Sequence, residues 1–452
     1  MTTDKVIDID SLHLRHYGDN FLRHSDSGLW ELFVKGDAFQ RGEAIGQLSS
    51  DLLHHQEKVF VDQIREIVPS DSYLKFLRFF IVLFNRNLGE NVLEEYRDEI
   101  YGISLSCTHK YDFIGTPYER QLNYHSAHDL GHAMQDYMLV GCSSFATWGT
   151  QSADSSLLIG RNFYVGDAFA ENKQVAFYVP EQGYRFASVG WPGMIGVLSG
   201  MNETGLTVTI NAAKSAVPTG SATPISILTR EILQYAATID EAFAIAQKRE
   251  TFVSESILIG SAKDGKAAII EKSPEKTVLF TGKEANRLIC TNHYQSEEFS
   301  KDERNMENIR TSDSPYRFAR LTELINEDLP IDVSKAASIL RDHKGLQNTD
   351  LGLANEMAIN QFIAHHSVIF QPEKQLMWVS TSPWQCGKYV AYDLNKIFKD
   401  TIDWQHEIYS SALTIPEDKF IDAPEFQHLL TYKKLTPLLL KKIRKKLQRC
   451  GN

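Results

Sequence analysis

The sequence predicts an α+β protein in which antiparallel sheets face each other beneath helices. Three observations favour this class. Residues 29–137 show mostly helical spacing of apolar positions, whereas short β-like runs separated by turns follow Cys142. Pairs of helices then return at 225–248 and 315–341. The sharpest change, from helical to strand-like spacing of apolar residues, falls at Cys142.

The N-terminal segment, residues 1–141, is predicted to be mainly helical. Apolar residues at 45, 48, 52 and 53 repeat at helical spacing after Gly36. Further helices are predicted at 73–84, 92–104 and 128–138, and the last of them runs up to Gly141. The apolar run at 76–84 is interrupted by Arg78 and is too short to span a bilayer, so we interpret it as a core helix.

Residues 142–400 are predicted to form the strand-rich core. A strand beginning at Cys142 and a second one ending near Phe163 suggest a hairpin with the thiol at its lip. The strands predicted up to the first helix pair are 145–148, 157–163, 175–179, 185–189, 194–198 and 206–211. Helices 225–236 and 239–248 follow, with Thr238 as the N-cap of the second.

The rest of the core is predicted to alternate strands and helices. Strands 256–260 and 267–271 are joined by Lys263-Asp264-Gly265-Lys266, a strong hairpin signal. Helices 315–325 and 333–341 come next, and strands 367–370 and 376–380 close the core. No internal repeat or Pro-, Gly- or Ser-rich linker divides the chain.

Residues 401–452 form a C-terminal extension that ends in a predicted basic amphipathic helix, 437–452. Its basic residues, interleaved with leucine and isoleucine, are Lys441, Lys442, Arg444, Lys445, Lys446 and Arg449. Such a helix lies on an anionic membrane surface or docks on the protein by its leucine face. The sequence leaves both interpretations open and gives no oligomeric state.

The composition excludes several classes of function. A formal net charge of -11 over 452 residues disfavours nucleic acid as a partner, since phosphate binding needs a basic face. Five scattered cysteines without a CxxC pair give neither a disulfide framework nor a zinc ribbon. The N-terminus has no apolar signal region, so we expect a cytoplasmic chain as the sequence stands, or an exported one whose leader is missing.

Cys142 has two readings. Most free cysteines are small buried hydrophobic residues. The functional reading is a nucleophile exposed by cleavage of the bond between Gly141 and Cys142, because glycine tolerates a strained backbone and lets the thiol approach its carbonyl. The freed α-amine, with a reference pKa near ~7.7, then serves as the general base.

Five motifs in order carry a family resemblance. They are Gly141-Cys142-Ser143-Ser144, Gly160-Arg161-Asn162-Phe163, Gly200-Met201-Asn202-Glu203-Thr204-Gly205-Leu206, Cys290-Thr291-Asn292-His293-Tyr294 and Ser314-Pro315-Tyr316-Arg317-Phe318-Ala319-Arg320. Together they resemble the N-terminal-nucleophile cysteine hydrolases of the penicillin acyltransferase and choloylglycine hydrolase group. The resemblance implies a four-layer αββα sandwich of two antiparallel sheets with helices outside.

The resemblance also implies roles for individual residues. Cys142 matches a nucleophile released by self-cleavage, which leaves chain 1–141, released or retained, and chain 142–452. Arg161 is similar to the arginine beside that nucleophile, where a guanidinium favours the thiolate. Asn292 resembles the asparagine whose amide faces the oxyanion, a donor worth roughly 10² to 10³ in rate. Asn211 is a second oxyanion candidate, or simply a turn former that ends its strand.

Arg317 matches the family's active-site arginine, and Arg320 lies three residues further on the same helix face. One position departs from the family pattern. An aspartate that orients the freed α-amine is expected where Tyr164 stands. Asp167 takes over this role if the strand is locally shortened. If neither residue does, self-cleavage or turnover is impaired.

The implied function is a self-processing cysteine amidohydrolase or acyltransferase that cleaves a linear amide of a small N-acyl substrate through a thioester. It needs no metal or organic cofactor. Two alternatives remain: an unprocessed, inactive relative that binds a small molecule, and a membrane-associated lipid amidase. A metal site at His125, His128, Asp129 and His132, or at His365 and His366, is less favoured than helix-end or surface histidines, because no companion ligand pattern completes it. Serine catalysis at Ser143 or Ser144 lacks a Gly-x-Ser-x-Gly elbow.

Overall fold

The computed structural model describes residues 6–9, 13–67, 88–125, 141–164, 172–216, 222–284, 286–399, 404 and 406–450. The predicted helices 73–84 and 128–138, together with His128, Asp129, His132 and Asp167, lie outside these residues. Strands are numbered β1 to β18 along the chain, and helices are named by their bounds.

The first sheet contains eleven strands of the described chain. Their spatial order is β1 (Ile7–Ile9), β2 (Leu14–Tyr17), β3 (Asn20–His24), β4 (Trp30–Gly36), β7 (Gln174–Pro180), β8 (Phe186–Gly190), β9 (Ser199–Asn202), β10 (Leu206–Ala212), β11 (Glu255–Ser261), β12 (Lys266–Lys272) and β13 (Thr277–Phe280). Neighbours pair antiparallel except β4 and β7, which run parallel. The N-terminal segment therefore extends the sheet of the core.

The second sheet contains seven strands of the described chain. Their order is β14 (Arg287–Cys290), β5 (Cys142–Thr147), β6 (Leu158–Tyr164), β15 (Ala364–Gln371), β16 (Leu376–Ser380), β17 (Tyr389–Asp393) and β18 (Tyr409–Ile415). All neighbours are antiparallel. The predicted hairpin that begins at Cys142 is confirmed as the β5–β6 pair.

The described helices of the N-terminal segment are Ala38–Leu48, Ser50–Ile67, Glu94–Ser104 and Pro117–His125. Those of the remaining chain are Ile225–Tyr235, Ile239–Lys248, Glu303–Thr311, Ser314–Asp328, Val333–Arg341, Leu394–Ile397 and Pro424–Cys450. The Thr238 cap is confirmed, since its side chain accepts a hydrogen bond from the backbone of Glu241. Within the described residues, no helix combines the length and apolar character needed to cross a membrane.

Three apolar clusters define four layers. One lies between the first sheet and its helices, among them Ala38–Leu48 and Ile225–Tyr235. A second lies between the two sheets and includes Phe177 of β7 and Phe370 of β15. A third lies between the second sheet and the helices Ser314–Asp328 and Val333–Arg341. The predicted α+β class with an αββα arrangement is therefore confirmed.

Several elements differ from the sequence analysis. Residues 7–36 form four short strands that were not predicted, because polar and charged residues interrupt their alternation. Arg23 and Glu31, for example, pair across β3 and β4 in a buried salt bridge of 2.6 Å. The strand predicted at 194–198 was wrong: those residues form a loop, and β9 begins at Ser199. The helix Glu303–Thr311 and strands β13, β14, β17 and β18 were also missed.

Buried ion pairs tie the N-terminal segment to the core. Glu99 accepts from Arg41 at 2.6 Å and from Arg230 of the helix Ile225–Tyr235 at 3.2 Å, and all three side chains are buried. Breaking a buried pair of this kind leaves an uncompensated charge, which typically costs about 3–5 kcal/mol. Together with the β4–β7 pairing, this triad ties the described part of the N-terminal segment to the core.

Candidate active site

Cys142 is the first residue of β5, in the second sheet, and it pairs with Phe163 of β6. Alternate residues of a strand point to opposite faces. Ser144, on the same face of β5 as Cys142, bonds to Asn211 of the first sheet, whereas Ser143 faces Arg317 on the helical side. The thiol therefore lies between the sheets, and its residue is 1% exposed.

Arg161 of β6 reaches the thiol from the neighbouring strand. Its Nη2 donates to Cys142 Sγ at 3.6 Å and to the carbonyl of Ile210, while its Nη1 contacts Ser199 and His366. Arg161 is fully buried. Among the described residues it makes no ion pair with a carboxylate within 4 Å, so the thiol sulfur is the partner best able to become its counter-charge.

Burial raises the pKa of the Cys142 thiol, and the nearby Glu255 adds to this effect. Arg161, Arg317 and the backbone N–H of Ala212 act in the opposite direction. Burial likewise lowers the pKa of the Arg161 guanidinium, which the sulfur counteracts. The two groups thus stabilise each other's charged form in a site that is otherwise costly for either charge.

Asn292 lies two residues after β14 and faces the backbone of Cys142. Its Oδ1 accepts from the Cys142 N–H at 3.0 Å and from Arg317 Nη2 at 2.8 Å. Two donors at one atom identify that atom as the oxygen of the amide. One amide hydrogen on Nδ2 goes to the carbonyl of Ala212 at 2.9 Å, which leaves the second hydrogen for another acceptor.

The backbone of Asn292 is fixed by two neighbouring elements. Its N–H donates to Ser314 Oγ at 2.7 Å, at the start of the helix Ser314–Asp328. Its carbonyl accepts from Asn308 Nδ2 at 2.6 Å, from the helix Glu303–Thr311. The position of the side chain opposite Cys142 is therefore set by rigid secondary structure.

Arg317 lies in the first turn of the helix Ser314–Asp328 and points back at β5. Its Nη1 donates to the Cys142 carbonyl at 2.6 Å and to Ser143 Oγ at 3.0 Å. Burial lowers the pKa of this guanidinium. Arg320 bonds instead to Asp342 and Glu323, away from Cys142.

The bond between Gly141 and Cys142 is held from the β6 side. The Gly141 carbonyl accepts a hydrogen bond from the backbone N–H of Tyr164 at 3.1 Å. A Cβ on Gly141 would lie 2.9 Å from Cδ2 of Tyr164, so the ring requires glycine here. The Tyr164 hydroxyl bonds to Ser143 and to the carbonyl of Ile359. The group bonded to the Cys142 nitrogen is therefore Asn292, not Tyr164 as the sequence analysis considered.

Asn211 connects three strands. Its Oδ1 accepts from Ser144 Oγ at 2.8 Å, and its Nδ2 donates to the carbonyls of Cys290 at 2.8 Å and Thr291 at 3.2 Å. Both amide hydrogens are thereby used, and neither is left for an oxyanion. On this strand it is the backbone N–H of Ala212 that acts to lower the pKa of the thiol.

The histidines considered as metal ligands are placed differently from expectation. His365 and His366 are fully buried in β15 rather than on the surface. His125 is buried as well, with its Nδ1 at the carbonyl of Gln121 and its Nε2 at the backbone N–H of Ile195. No group of three or more histidine, cysteine or acidic side chains in the described chain could hold a metal ion.

Sequence reasoning missed three groups around the thiol, namely Ser199, His366 and the N–H of Ala212. No motif marked Ser199 or Ala212. The His365-His366 pair was noticed only as a metal candidate. Contact with Arg161 depends on two sheets meeting face to face, which no local pattern reports.

The comparisons with known proteins bear on this site. The family model for acyl-coenzyme A:6-aminopenicillanic acid acyl-transferase matches residues 150–381, just over half of the chain. The chain belongs to this family. The match contains Arg161, Asn211, Asn292 and Arg317 and begins shortly after Cys142. It confirms the family that the motifs predicted.

This acyl-transferase family member is 24% identical over 453 aligned residues to an uncharacterised protein of Archaeoglobus fulgidus, an alignment that covers 89% of this chain and 74% of that one. Among solved structures, it is similar to the Caenorhabditis elegans ortholog of N-acylethanolamine-hydrolyzing acid amidase, with 16% identity, a TM-score of 0.38 and coverage of 51% and 93%. It is also similar to penicillin V acylase of Agrobacterium tumefaciens, with 17% identity, a TM-score of 0.37 and coverage of 56% and 87%. Likeness at this level does not identify a substrate.

Proposed function

We propose that the chain is a self-processing cysteine amidohydrolase that cleaves a linear C–N amide bond of a small N-acyl substrate through a Cys142 thioester. One observation carries the proposal. The Cys142 thiol faces Arg161, and the backbone nitrogen of Cys142 faces Asn292. The carbonyl of Gly141 faces the backbone N–H of Tyr164. The two backbone contacts would serve any buried residue at this strand end, but a cysteine that only filled space would not need a guanidinium at its sulfur.

The proposed self-cleavage uses the contacts at Gly141. The Cys142 thiolate attacks the Gly141 carbonyl carbon, and the Tyr164 N–H stabilises the oxyanion that forms. Collapse breaks the C–N bond as the Cys142 nitrogen takes up the proton that the thiol released, so a thioester joins Gly141 to Sγ and the α-amine of Cys142 is freed. Water then hydrolyses the thioester, which gives a Gly141 carboxylate and a free thiol.

Turnover uses the same atoms on a substrate. The thiolate attacks the substrate carbonyl, and the second amide hydrogen of Asn292 and the N–H of Ala212 are placed to stabilise the oxyanion. The protonated α-amine of Cys142 gives its proton to the leaving amine, and an acyl thioester remains. Water loses a proton to the α-amine as it attacks the thioester, and the free acid departs.

Asn292 takes the role of the aspartate that the family pattern expects at position 164. Its Oδ1 already accepts from the Cys142 nitrogen, which is the contact that orients an α-amine after cleavage. Arg317, bonded to the same oxygen, fixes that orientation. This arrangement favours an active enzyme over the alternative of an unprocessed small-molecule binding protein.

The test is turnover of a panel of linear N-acyl amides by the protein and by Cys142→Ala. We expect amide hydrolysis, or acyl transfer to an added amine, that disappears in Cys142→Ala. Cys386→Ala is the matched control, because Cys386 is an equally buried free thiol remote from the proposed chemistry. Turnover that survives in Cys142→Ala would refute the assignment.

A second candidate function, a lipid amidase working at a membrane surface, is favoured by one observation. Tyr432, Leu435 and Leu439 recur along one side of the helix Pro424–Cys450 and are 66%, 48% and 56% exposed. The chain from Gln427 onward contains no acidic residue, whereas the basic residues predicted from the sequence fall within it. An exposed apolar stripe in a basic segment suits an anionic bilayer.

Liposome co-sedimentation tests this candidate with the full chain. We expect binding to vesicles that contain anionic lipid, weaker binding to zwitterionic vesicles, and loss of binding in Leu435→Ser/Leu439→Ser. Equal binding by the double variant would exclude this stripe as the membrane contact.

A further inference from the structure

A pair of buried histidines lies behind Arg161, on the side away from the thiol. His365 and His366 are consecutive residues of β15, next to β6 in the second sheet. His366 Nε2 lies 3.2 Å from Arg161 Nη1 and 2.8 Å from Ser199 Oγ. His366 Nδ1 lies 2.8 Å from Nδ1 of His365. The pair and Ser199 therefore form one network with the arginine that touches Cys142.

The donors of this network fix the tautomers of both rings. A guanidinium only donates, so His366 Nε2 is the unprotonated acceptor. His366 then carries its proton on Nδ1 and donates to His365 Nδ1, which places the proton of His365 on Nε2. Ser199 Oγ accepts from Arg161 and gives its own hydrogen to His366. With both histidines neutral, each of these contacts pairs a donor with an acceptor; Arg161 and Ser199 share the lone pair of His366 Nε2, and His365 Nε2 has no hydrogen-bond partner among the described residues.

The surroundings keep both rings neutral. His365 and His366 are fully buried, and the basic groups Arg161 and Lys173 lie near them. Burial lowers the pKa of His365 to about 3, and the pKa of His366 lies well below its ordinary value. The other titratable groups that face Arg161 are Cys142, Glu255 and Cys290. A cationic His366 would repel Arg161 and lose its acceptor, so the neutral form is the one that binds it.

We propose that His366 is a positioning residue: as a neutral acceptor it holds the Arg161 guanidinium against Cys142 Sγ and thereby stabilises the thiolate. The proposal deepens the proposed function, on which its catalytic meaning rests. Arg161 has five N–H donors and no carboxylate within 4 Å in the described chain. Without His366, Nη1 keeps only Ser199 Oγ as a side-chain acceptor, so the orientation of the guanidinium toward the sulfur rests on Ser199 and on the carbonyl of Ile210.

The experiment compares His366→Phe, which removes the acceptor, with His366→Gln, which retains one. The readout is the ultraviolet absorbance of the thiolate against pH, taken as the difference between each protein and the same protein carrying Cys142→Ala. We expect the midpoint of Cys142 to rise by about one pH unit or more in His366→Phe, the usual size of a lost opposite charge. In His366→Gln we expect it to stay within a few tenths of a unit.

Two further variants make the result decisive. His125→Gln changes another buried histidine that does not contact Arg161, and it should leave the midpoint unchanged. Ser199→Ala removes the hydroxyl shared by Arg161 and His366, so a rise of the same sign and smaller size is expected. Because Ser199 also contacts Arg161 directly, this variant only gives the size of a lost Nη1 acceptor; if His366→Phe fails to fold, the smaller His366→Leu replaces it.

An unchanged midpoint in folded His366→Phe overturns the proposal. So does an equal rise in His366→Gln, because the ring would then act by packing alone. If His366→Phe does not fold, an unchanged midpoint in His366→Leu overturns it as well. The absorbance readout uses no substrate, so absence of amide turnover together with the expected shift would reject the proposed function and leave the positioning role standing.

Discussion

Replacing Gly141 with alanine places a Cβ 2.9 Å from Cδ2 of Tyr164, well inside ordinary van der Waals contact. The Tyr164 ring cannot easily yield, because it is fully buried and its hydroxyl bonds to Ser143 and the carbonyl of Ile359. The Gly141 backbone must therefore move by roughly half an ångström away from β6 to restore normal packing.

That movement acts directly on the bond to be cleaved. The Gly141 carbonyl accepts from the Tyr164 N–H at 3.1 Å, and a shift of this size takes the contact to the limit of a hydrogen bond. Removing one donor from an oxyanion site slows acyl transfer by roughly 10² to 10³. We expect Gly141→Ala to slow self-cleavage by that factor while the fold is retained.

The assay is the fraction of cleaved chain with time after synthesis, read by denaturing gel. Gly89→Ala is the matched control, because a Cβ at Gly89 meets no atom within 4 Å. Tyr164→Ala removes the ring but keeps the backbone N–H, so the double variant Gly141→Ala/Tyr164→Ala should cleave faster than Gly141→Ala alone. Wild-type cleavage in Gly141→Ala, or no recovery in a folded double variant, would refute the reasoning.

Three further predictions concern Asn292, Lys173 and the contact between the two chains. Asn292→Leu loses both the acceptor for the Cys142 nitrogen and the amide donor, so it should lower kcat by roughly 10² or more. Asn292→Asp keeps the acceptor but not the donor, so it should recover self-cleavage better than substrate turnover. Self-cleavage is followed on denaturing gels, and the chemical step of turnover by single-turnover kinetics. Lys173 is buried, which lowers its pKa to about 7, so between pH 7 and about 10.4 the unfolded chain binds more protons than the folded chain. In urea titrations, the free energy of unfolding of the wild type relative to Lys173→Met should therefore rise by up to about 1.4 kcal/mol per pH unit over this range. A difference that stays constant with pH would contradict this. Chains 1–141 and 142–452 should co-elute in gel filtration after cleavage and separate only in denaturant, because Glu99 is buried between Arg41 and Arg230.

The core elements were predictable because their patterns are local. The runs that became β6, β7 and β10 are apolar and bounded by turns, and the helices Ile239–Lys248 and Val333–Arg341 show clear periodicity. The strands of residues 7–36 were not predictable in this way. They are short, and their charges are neutralised by partners such as Glu31 that only the folded sheet brings close.

In the candidate site, too, residues in local motifs were predictable, whereas contacts that depend on the folded sheets were not. Cys142, Arg161, Asn292 and Arg317 lie in motifs, and the structure brings all four together. Asn211 was predicted close to the thiol, but its side chain joins strands, and the backbone N–H of Ala212 is the group of this strand that lowers the pKa of the thiol. Hydrogen-bond direction of this kind depends on register across two sheets, which a sequence motif does not encode.

The expected amine-orienting carboxylate illustrates a further limit. A motif match compares one position at a time, so Tyr164 counted as a defect. The structure shows that the acceptor at the Cys142 nitrogen comes from Asn292, on a different strand connection, and that the backbone of Tyr164 still bonds to the Gly141 carbonyl. In the proposed function, Asn292 therefore takes the amine-orienting role that the family pattern gives to an aspartate.

Intact mass spectrometry of the purified protein tests the central claim most directly, because it needs no assumption about substrate. The account predicts two chains that meet between Gly141 and Cys142 in the wild type and one uncut chain in Cys142→Ala. A wild-type protein that hydrolyses N-acyl amides as a single uncut chain would contradict it.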